Sequence, residues 1–130
     1  MIGMGHGKFA TVVNCMDGRT QLPVIEYMRK KFAVDYVDVI TEPGPVKALA
    51  EPENSAQAES IRSRLRISAE KHGSTHFAVV AHHDCAGNPV DKETQIAQIQ
   101  RALETVRSWG FKGTVLGLWV DENWSVHEVE

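Results

Sequence analysis

The sequence predicts an α/β fold: a mainly parallel sheet of four strands flanked by helices, with a fifth, antiparallel strand at the carboxyl end. Short β-branched and apolar segments alternate along the chain with longer segments of helical periodicity. The last two strand-like segments are separated by a short turn, and they would therefore form a terminal hairpin. Because right-handed crossovers connect parallel strands, the helices should cover both faces of the sheet.

The predicted strands are short apolar segments bounded by turn-forming residues. They cover residues 8–14, 36–40, 77–81, 114–120 and 124–129. After the second strand, residues 41–45 read Thr-Glu-Pro-Gly-Pro. Two prolines and a glycine in this position favour a loop over regular structure.

The first predicted helix follows the first strand and is defined by apolar residues at helical spacing. Thr20 is the predicted N-cap, and Pro23 is tolerated because it falls in the first turn. The apolar stripe consists of Leu22, Ile25, Met28 and Phe32.

Two further helices are predicted, over residues 54–72 and 91–109. Asn54 and Gln57 have the spacing of a capping box at the start of the first of these, and Asp91 would cap the other. A glycine follows each helix, at positions 73 and 110. The apolar stripe of the 54–72 helix consists of Ala58, Ile61, Leu65 and Ala69.

Size and charge limit the classes of function. A chain of 130 residues suits one domain, over residues 1–130, with a single core. With 14 basic and 17 acidic residues and a net charge of -3, it lacks the positive footprint of a nucleic-acid or anionic-membrane partner. No apolar run approaches the roughly 20 residues that span a bilayer. The start of the sequence has neither the basic nor the apolar region of a secretory signal, so we expect a cytoplasmic protein.

Both cysteines of the chain lie in short clusters of potential metal ligands, each directly after a predicted strand. Residues 15–19 read Cys-Met-Asp-Gly-Arg, and residues 82–85 read His-His-Asp-Cys. If the first and third strands are neighbours in the sheet, both clusters lie at their carboxyl ends, where ligands collect in α/β proteins. Cys15, His82 and Cys85 would then supply two thiolates and one imidazole, which suit a catalytic zinc ion with an open fourth position.

Asp17 and Arg19 flank the first of these ligands and are candidate catalytic residues. Two thiolates neutralise a zinc dication, so a water bound to it is less acidic than at a site with three histidines. Asp17 would accept a hydrogen bond from the zinc-bound water or hydroxide, and Arg19 would hold the carboxylate through a bidentate pair. The alternative is a loop ion pair without catalytic role. Asp84 is expected to shape its loop, and Trp124 to lie in the core.

The ordered pair of motifs, Cys15-x-Asp17-x-Arg19 after the first strand and His82-x-x-Cys85 after the third, resembles the β-class carbonic anhydrase family. The resemblance spans nearly the whole chain. It implies a zinc enzyme that interconverts carbon dioxide and bicarbonate by means of a zinc-bound hydroxide. It also implies that Cys15, His82 and Cys85 are the ligands, that Asp17 and Arg19 form a catalytic dyad, and that Asp17 can bind zinc in a closed, inactive state. A homodimer or higher homo-oligomer is implied as well.

The sequence departs from the family pattern at several places. Residues 41–44 read Thr-Glu-Pro-Gly where the family usually has Arg-Asn-Ala-Gly, Ala86 replaces the usual glycine, and the chain is shorter than most members. Two alternatives to carbon dioxide hydration therefore stay open: a zinc-binding relative without catalysis, serving as a sensor or interaction module, or a hydrolase of carbonyl sulfide or carbon disulfide. A thiol redox protein is less favoured, because the chain has no Cys-x-x-Cys.

Overall fold

The computed structural model describes residues 7–53 and 55–130, and within them the chain forms one sheet of five strands with four helices. The elements in chain order are β1 (Phe9–Cys15), α1 (Gly18–Phe32), β2 (Tyr36–Glu42), α2 (Pro45–Ala50), α3 (Ala56–Lys71), β3 (His76–His82), α4 (Lys92–Ser108), β4 (Thr114–Val120) and β5 (Val126–Val129). The strand order is β2-β1-β3-β4-β5. The first four strands are parallel and β5 pairs antiparallel with β4, which confirms the predicted α/β fold.

Helices cover both faces of the sheet, and each face has its own apolar core. On one face, Val24 and Met28 of α1 pack with residues of the central strands such as Val12, Val80 and Leu118. On the other face, α2, α3 and α4 pack against alternate residues of the same strands, including Val13 and Val79. Successive strand residues point to opposite faces, so these runs are apolar at nearly every position.

None of the helices in the described ranges is long and apolar enough to cross a membrane.

The carboxyl ends of β1 and β3 lie side by side, at the place where the chain changes face. β1 pairs in parallel with β3, with Thr11, Val12 and Val13 opposite residues 77–79. The chain leaves β1 through α1 on one face, whereas it leaves β3 toward α4 on the other. The two strands therefore form the topological switch point at which α/β proteins commonly bind ligands.

The start of α1 differs from the prediction. Asp17, not Thr20, is the N-cap, and its side chain accepts a hydrogen bond of 2.9 Å from the backbone N–H of Arg19. Thr20 lies within the helix, where its hydroxyl donates to the Asp17 carbonyl. The side of the helix that packs on the sheet is formed by Thr20, Val24 and Met28, and Leu22 is 68% exposed instead of lying in the apolar stripe.

The cap of α3 also differs from the prediction. The Ser55 side chain accepts from the backbone N–H of Ala58, so Ser55 is the N-cap and the predicted capping box of Asn54 and Gln57 is wrong, because Gln57 then lies one position too early in the helix. Asn54 itself lies outside the described residues. The predicted stripe of α3 is confirmed, and Asp91 caps α4 through the backbone N–H of Thr94.

Helix α2 was not predicted. β2 continues to Glu42 and the loop is short, because Pro45 occupies the first position of α2, where a missing N–H costs no hydrogen bond. At the other end of the chain, β5 begins at Val126. Trp124 belongs to the preceding turn, where its N–H donates to the Asp121 carbonyl.

Substitution of one buried and one exposed leucine tests which sides of α1 and α3 face the core. Leu65 of α3 is fully buried, so Leu65→Ala should lower the free energy of unfolding by about 2–5 kcal/mol, whereas Leu22→Ala should change it by less than about 0.5 kcal/mol. Urea titrations followed by circular dichroism give both values. Equal losses in the two variants would contradict the described orientation of α1.

Candidate metal centre

Three potential ligands meet at the switch point. Cys15 is the last residue of β1, His82 is the last residue of β3, and Cys85 lies in the loop that follows. Their ligand atoms all lie within 4.8 Å of one another, and the two sulfurs are 3.8 Å apart. All three side chains are buried. The structure thus brings together the residues that the sequence analysis selected, and this group could hold a metal ion.

The orientation of His82 leaves one ring nitrogen unpaired within residues 7–53 and 55–130. Nδ1 lies 2.6 Å from the carbonyl oxygen of His83, so Nδ1 carries the proton and donates it. Nε2 is buried and has no hydrogen-bond partner among the residues that the structure describes. An unsatisfied buried nitrogen costs about 1–3 kcal/mol, and metal-binding histidines are commonly oriented by such a bond from the other nitrogen. The unpaired Nε2 therefore fits a metal ion at this position.

The two cysteines influence each other's ionisation. The hydrogen bond with Cys85 lowers the pKa of Cys15 against the opposing effect of burial, and contacts with His82 and the backbone of Gly44 lower it further. The same sulfur contact raises the pKa of Cys85. Burial tends to lower the pKa of His82, but contacts with the Cys15 sulfur and the His83 carbonyl raise it overall. A metal ion would replace the protons that these groups share.

Asp17 and Arg19 lie at the edge of this cluster as a bidentate pair. The guanidinium donates from Nη2 to Asp17 Oδ2 at 2.7 Å and from Nε to Oδ1 at 3.1 Å. Oδ2 is also 3.9 Å from Nε2 of His82, so the carboxylate faces the ligand group. The hydrogen bond from Arg19 lowers the pKa of Asp17 to about 2. Asp17 is therefore ionised throughout the neutral range.

Two contacts of Arg19 have no signal in the sequence. The guanidinium carbon lies 4.4 Å from the ring centre of Trp124, and Nη1 lies 3.4 Å from Oδ2 of Asp84. Asp84 thus does more than shape its loop. Trp124 is only partly buried, in the turn before β5, where it packs against the core on the α1 side of the sheet. Both residues lie in loops distant in sequence from Arg19, so periodicity and motif spacing could not connect them.

The loop after β2 packs tightly against the loop after Cys85. A Cβ atom on Gly44 would lie 2.6 Å from the Cβ of Asn88 and 3.0 Å from the backbone of Gly87, so only glycine fits there. Glu42 of the same segment is tied to α3 by a 2.7 Å hydrogen bond from Arg64. Its carboxylate is thus paired with a cation.

Fold and site together define an α/β protein with a buried Cys-His-Cys group at the switch point of a parallel sheet. Residues 5–130 match the model of the family described as "Putative carbonic anhydrase". The chain belongs to this carbonic anhydrase family.

Comparison with solved structures agrees on the fold. A carbonic anhydrase from Streptococcus mutans superposes with a TM-score of 0.61 at 16% identity, over 93% of this chain and 81% of that one. The apo form of a carbon disulfide hydrolase gives a TM-score of 0.55 at 12% identity, over 93% and 78% of the two chains. Among curated proteins there is no significant match. At these identities the structural likeness shows the fold alone.

The metal centre is tested by titrating the metal-free, reduced protein with zinc. We expect one ion per chain, and at a free concentration 100 times the dissociation constant it should add about 2.7 kcal/mol to the free energy of unfolding. Cys85→Ser and His82→Asn should lose this stabilisation, because each removes a ligand atom. His83→Asn, which alters the exposed neighbour, should keep it. Unchanged zinc binding in the first two variants would contradict the site.

Proposed function

We propose that the protein is a zinc-dependent carbonic anhydrase-like lyase that reversibly hydrates carbon dioxide to bicarbonate. The observation that carries this proposal is the meeting of Cys15, His82 and Cys85 beside an ionised Asp17 held by Arg19. Membership of the carbonic anhydrase family supports it. The small-molecule substrate class also agrees with the acidic net charge of -3, which offers no footprint for nucleic acid.

The spacing of the sulfurs supports zinc as the metal. Two thiolates bound at about 2.3 Å to one tetrahedral zinc ion lie roughly 3.8 Å apart. The sulfurs of Cys15 and Cys85 are separated by 3.8 Å. Thiolate and imidazole ligands suit zinc, whereas magnesium and calcium prefer oxygen. A zinc ion held by these residues would supply a Lewis acid that lowers the pKa of a water molecule.

Asp17 would orient the nucleophile. An ionised carboxylate only accepts hydrogen bonds, so Asp17 would take the O–H of the attacking oxygen and leave a lone pair of that oxygen toward the substrate carbon. Its pKa of about 2 keeps it in this state at every pH at which carbon dioxide hydration is useful. Arg19 keeps the carboxylate in position, since its guanidinium and its backbone N–H both donate to it.

The divergent segment after β2 is compatible with this reaction. Glu42 stands where the family usually has a neutral amide, but Arg64 compensates its charge. The segment therefore brings no net negative charge toward bicarbonate. Gly44, which matches the family pattern, also keeps its backbone contact with the metal-binding cysteine.

We also infer a homodimer as the basic unit. Within the described residues β2 pairs with β1 alone, so one edge of this seven-residue strand is unpaired. Its Tyr36 is 55% exposed, and Val37 and Val39 are only partly buried. Long, apolar edge strands are normally covered in native proteins, and a second copy of the chain would cover this one.

We further infer that the single domain over residues 1–130 works in the cytoplasm. Two thiols with sulfurs 3.8 Å apart must stay reduced to bind a metal ion. A reducing compartment provides this condition, because glutathione and thioredoxin keep cytosolic thiols reduced.

Stopped-flow hydration of carbon dioxide by zinc-loaded protein tests the activity. Arg19→Ala and Asp17→Asn should lower turnover by about 10²–10⁴-fold, since the nucleophile loses its acceptor or that acceptor loses its anchor, while zinc content is unchanged. Arg66→Ala, in an exposed pair with Glu70, is the matched control and should keep full turnover.

Two results would contradict this proposal. Stoichiometric zinc without turnover of carbon dioxide would reject the lyase activity. Parallel assays with carbonyl sulfide and carbon disulfide would then distinguish a hydrolase with a changed substrate from a relative without catalysis. Full activity of Arg19→Ala would reject the role of the dyad.

The dimer is tested by light scattering coupled to size-exclusion chromatography. The expected mass is twice the chain mass of 14.4 kDa. Tyr36→Lys places a charge at the edge of β2 and should shift the population toward the monomer. A wild-type protein that stays monomeric at micromolar concentrations would exclude this assembly.

A further inference from the structure

Two residues with unusual backbone conformations meet at Arg19. Asp84 has φ +56° and Trp124 has φ +60°, the left-handed region that side chains other than glycine rarely adopt. In the part of the chain that the structure describes, the other such non-glycine residue is Ala33, which ends α1 in a common C-cap conformation. A tryptophan has no local hydrogen bond that would favour this conformation. Strain of this kind persists where the surrounding structure holds it, often at functional sites.

The turn that carries Trp124 is held firmly in place. The carboxylate of Asp121 accepts from the backbone N–H groups of Asn123 and Ser125, and the Asp121 carbonyl accepts from Trp124. The indole packs against the apolar core on the α1 side, and its ring centre lies 6.4 Å from that of His82. These contacts fix the ring beside the metal centre independently of Arg19.

The planar guanidinium group of Arg19 has partners along two of its edges and on one of its faces. Asp17 takes one edge of the guanidinium, Asp84 accepts with its carbonyl at 3.2 Å and its carboxylate at 3.4 Å, and the Trp124 ring covers the face. The side chain of Arg19 is nevertheless 45% exposed. An exposed ion pair alone contributes little, because water competes for both partners and the long side chain must be ordered. The aromatic face removes part of that freedom and attracts the cation directly.

This restraint matters because Asp17 has a competing partner. Its Oδ2 is 3.9 Å from His82 Nε2, so a small movement would bring it to a cation held by the cysteines and the histidine. The stronger the hold of Arg19 on the carboxylate, the smaller the fraction of molecules in which Asp17 binds the metal itself. Any residue that fixes the guanidinium therefore shifts this balance toward an open metal position.

We propose that Trp124 is a positioning residue: its ring fixes the guanidinium of Arg19, which in turn holds Asp17 away from the metal and leaves the fourth position open to an exogenous ligand. The inference rests on the proposed zinc site, although it does not require turnover of carbon dioxide. It assigns a function to the strained turn before β5.

The test uses cobalt(II) in place of zinc and measures the affinity for azide from the visible absorption spectrum. Trp124→Gly removes the ring and suits the positive φ. We expect its azide affinity to fall severalfold, with about tenfold as the limit set by the strength of a cation–π contact, because azide binds only the molecules whose fourth position is open. Trp124→Phe keeps an aromatic face and should restore affinity to within about threefold of wild type. Trp109→Leu alters a tryptophan near Arg62 on the other face of the sheet and should have no effect.

A second set of variants, made in a protein that carries Asp17→Ala, separates the positioning of Arg19 by Trp124 from a general loosening of the site. In Asp17→Ala no carboxylate can reach the metal, so adding Trp124→Gly should not change azide affinity further. Unchanged affinity in Trp124→Gly alone, or an equal loss in both backgrounds, would overturn the proposal. If Trp124→Gly does not fold, as judged by its thermal melting, Trp124→Leu takes its place with the same expected results.

The outcome is separate from that of the proposed function. A protein whose cobalt form shows these azide affinities but which does not hydrate carbon dioxide would retain the positioning role and lose the lyase activity. An active enzyme in which Trp124→Gly binds azide like wild type would retain the lyase activity and lose the positioning role.

Discussion

The site depends on one constraint, the parallel pairing of β1 with β3 at the centre of the sheet. These two strands are almost fully buried, with apolar residues on both faces, so their register is fixed by packing as well as by backbone hydrogen bonds. Because both strands end at the same edge, Cys15 and His82 arrive at one place from distant parts of the sequence. A slip of one residue in this pairing would turn these side chains to the opposite face.

Asp17 connects this constraint to the chemistry. One carboxylate oxygen caps α1 through the backbone of Arg19, and the other lies 3.9 Å from His82 Nε2. The helix that covers one face of the sheet therefore begins at the residue that faces the candidate metal centre. In this way the bidentate pair with Arg19 stabilises the start of α1 and orients the carboxylate at the same time. The start of the helix and the orientation of the carboxylate thus depend on the same side chain.

The fold and the convergence of Cys15, His82 and Cys85 could be predicted because both follow from local signals: apolar strand segments, and residues of metal-binding types directly after them. Prediction from the sequence failed where an outcome depends on distant parts of the chain. Thr20 and Asn54 have suitable chemistry for caps, but helix starts were set by Asp17 and Ser55. Leu22 fits the periodicity of α1 but faces outward, because the helix packs on the sheet through Thr20, Val24 and Met28, a stripe that periodicity alone does not distinguish from the predicted one. The contact between Trp124 and Arg19 joins two loops that share no pattern in sequence.

Gly44 and Gly87 limit the changes that the two loops beside the cysteines can accept. A Cβ atom on Gly44 would lie 2.6 Å from the Cβ of Asn88, and one on Gly87 would lie 2.7 Å from the Cβ of Pro43, so the segments around residues 43–44 and 87–88 interlock. Neither segment can lengthen or gain bulk by itself without pushing the other, and both border the cysteines of the candidate metal centre. A larger side chain or an insertion in one of these loops would therefore be tolerated only together with a compensating change in the other.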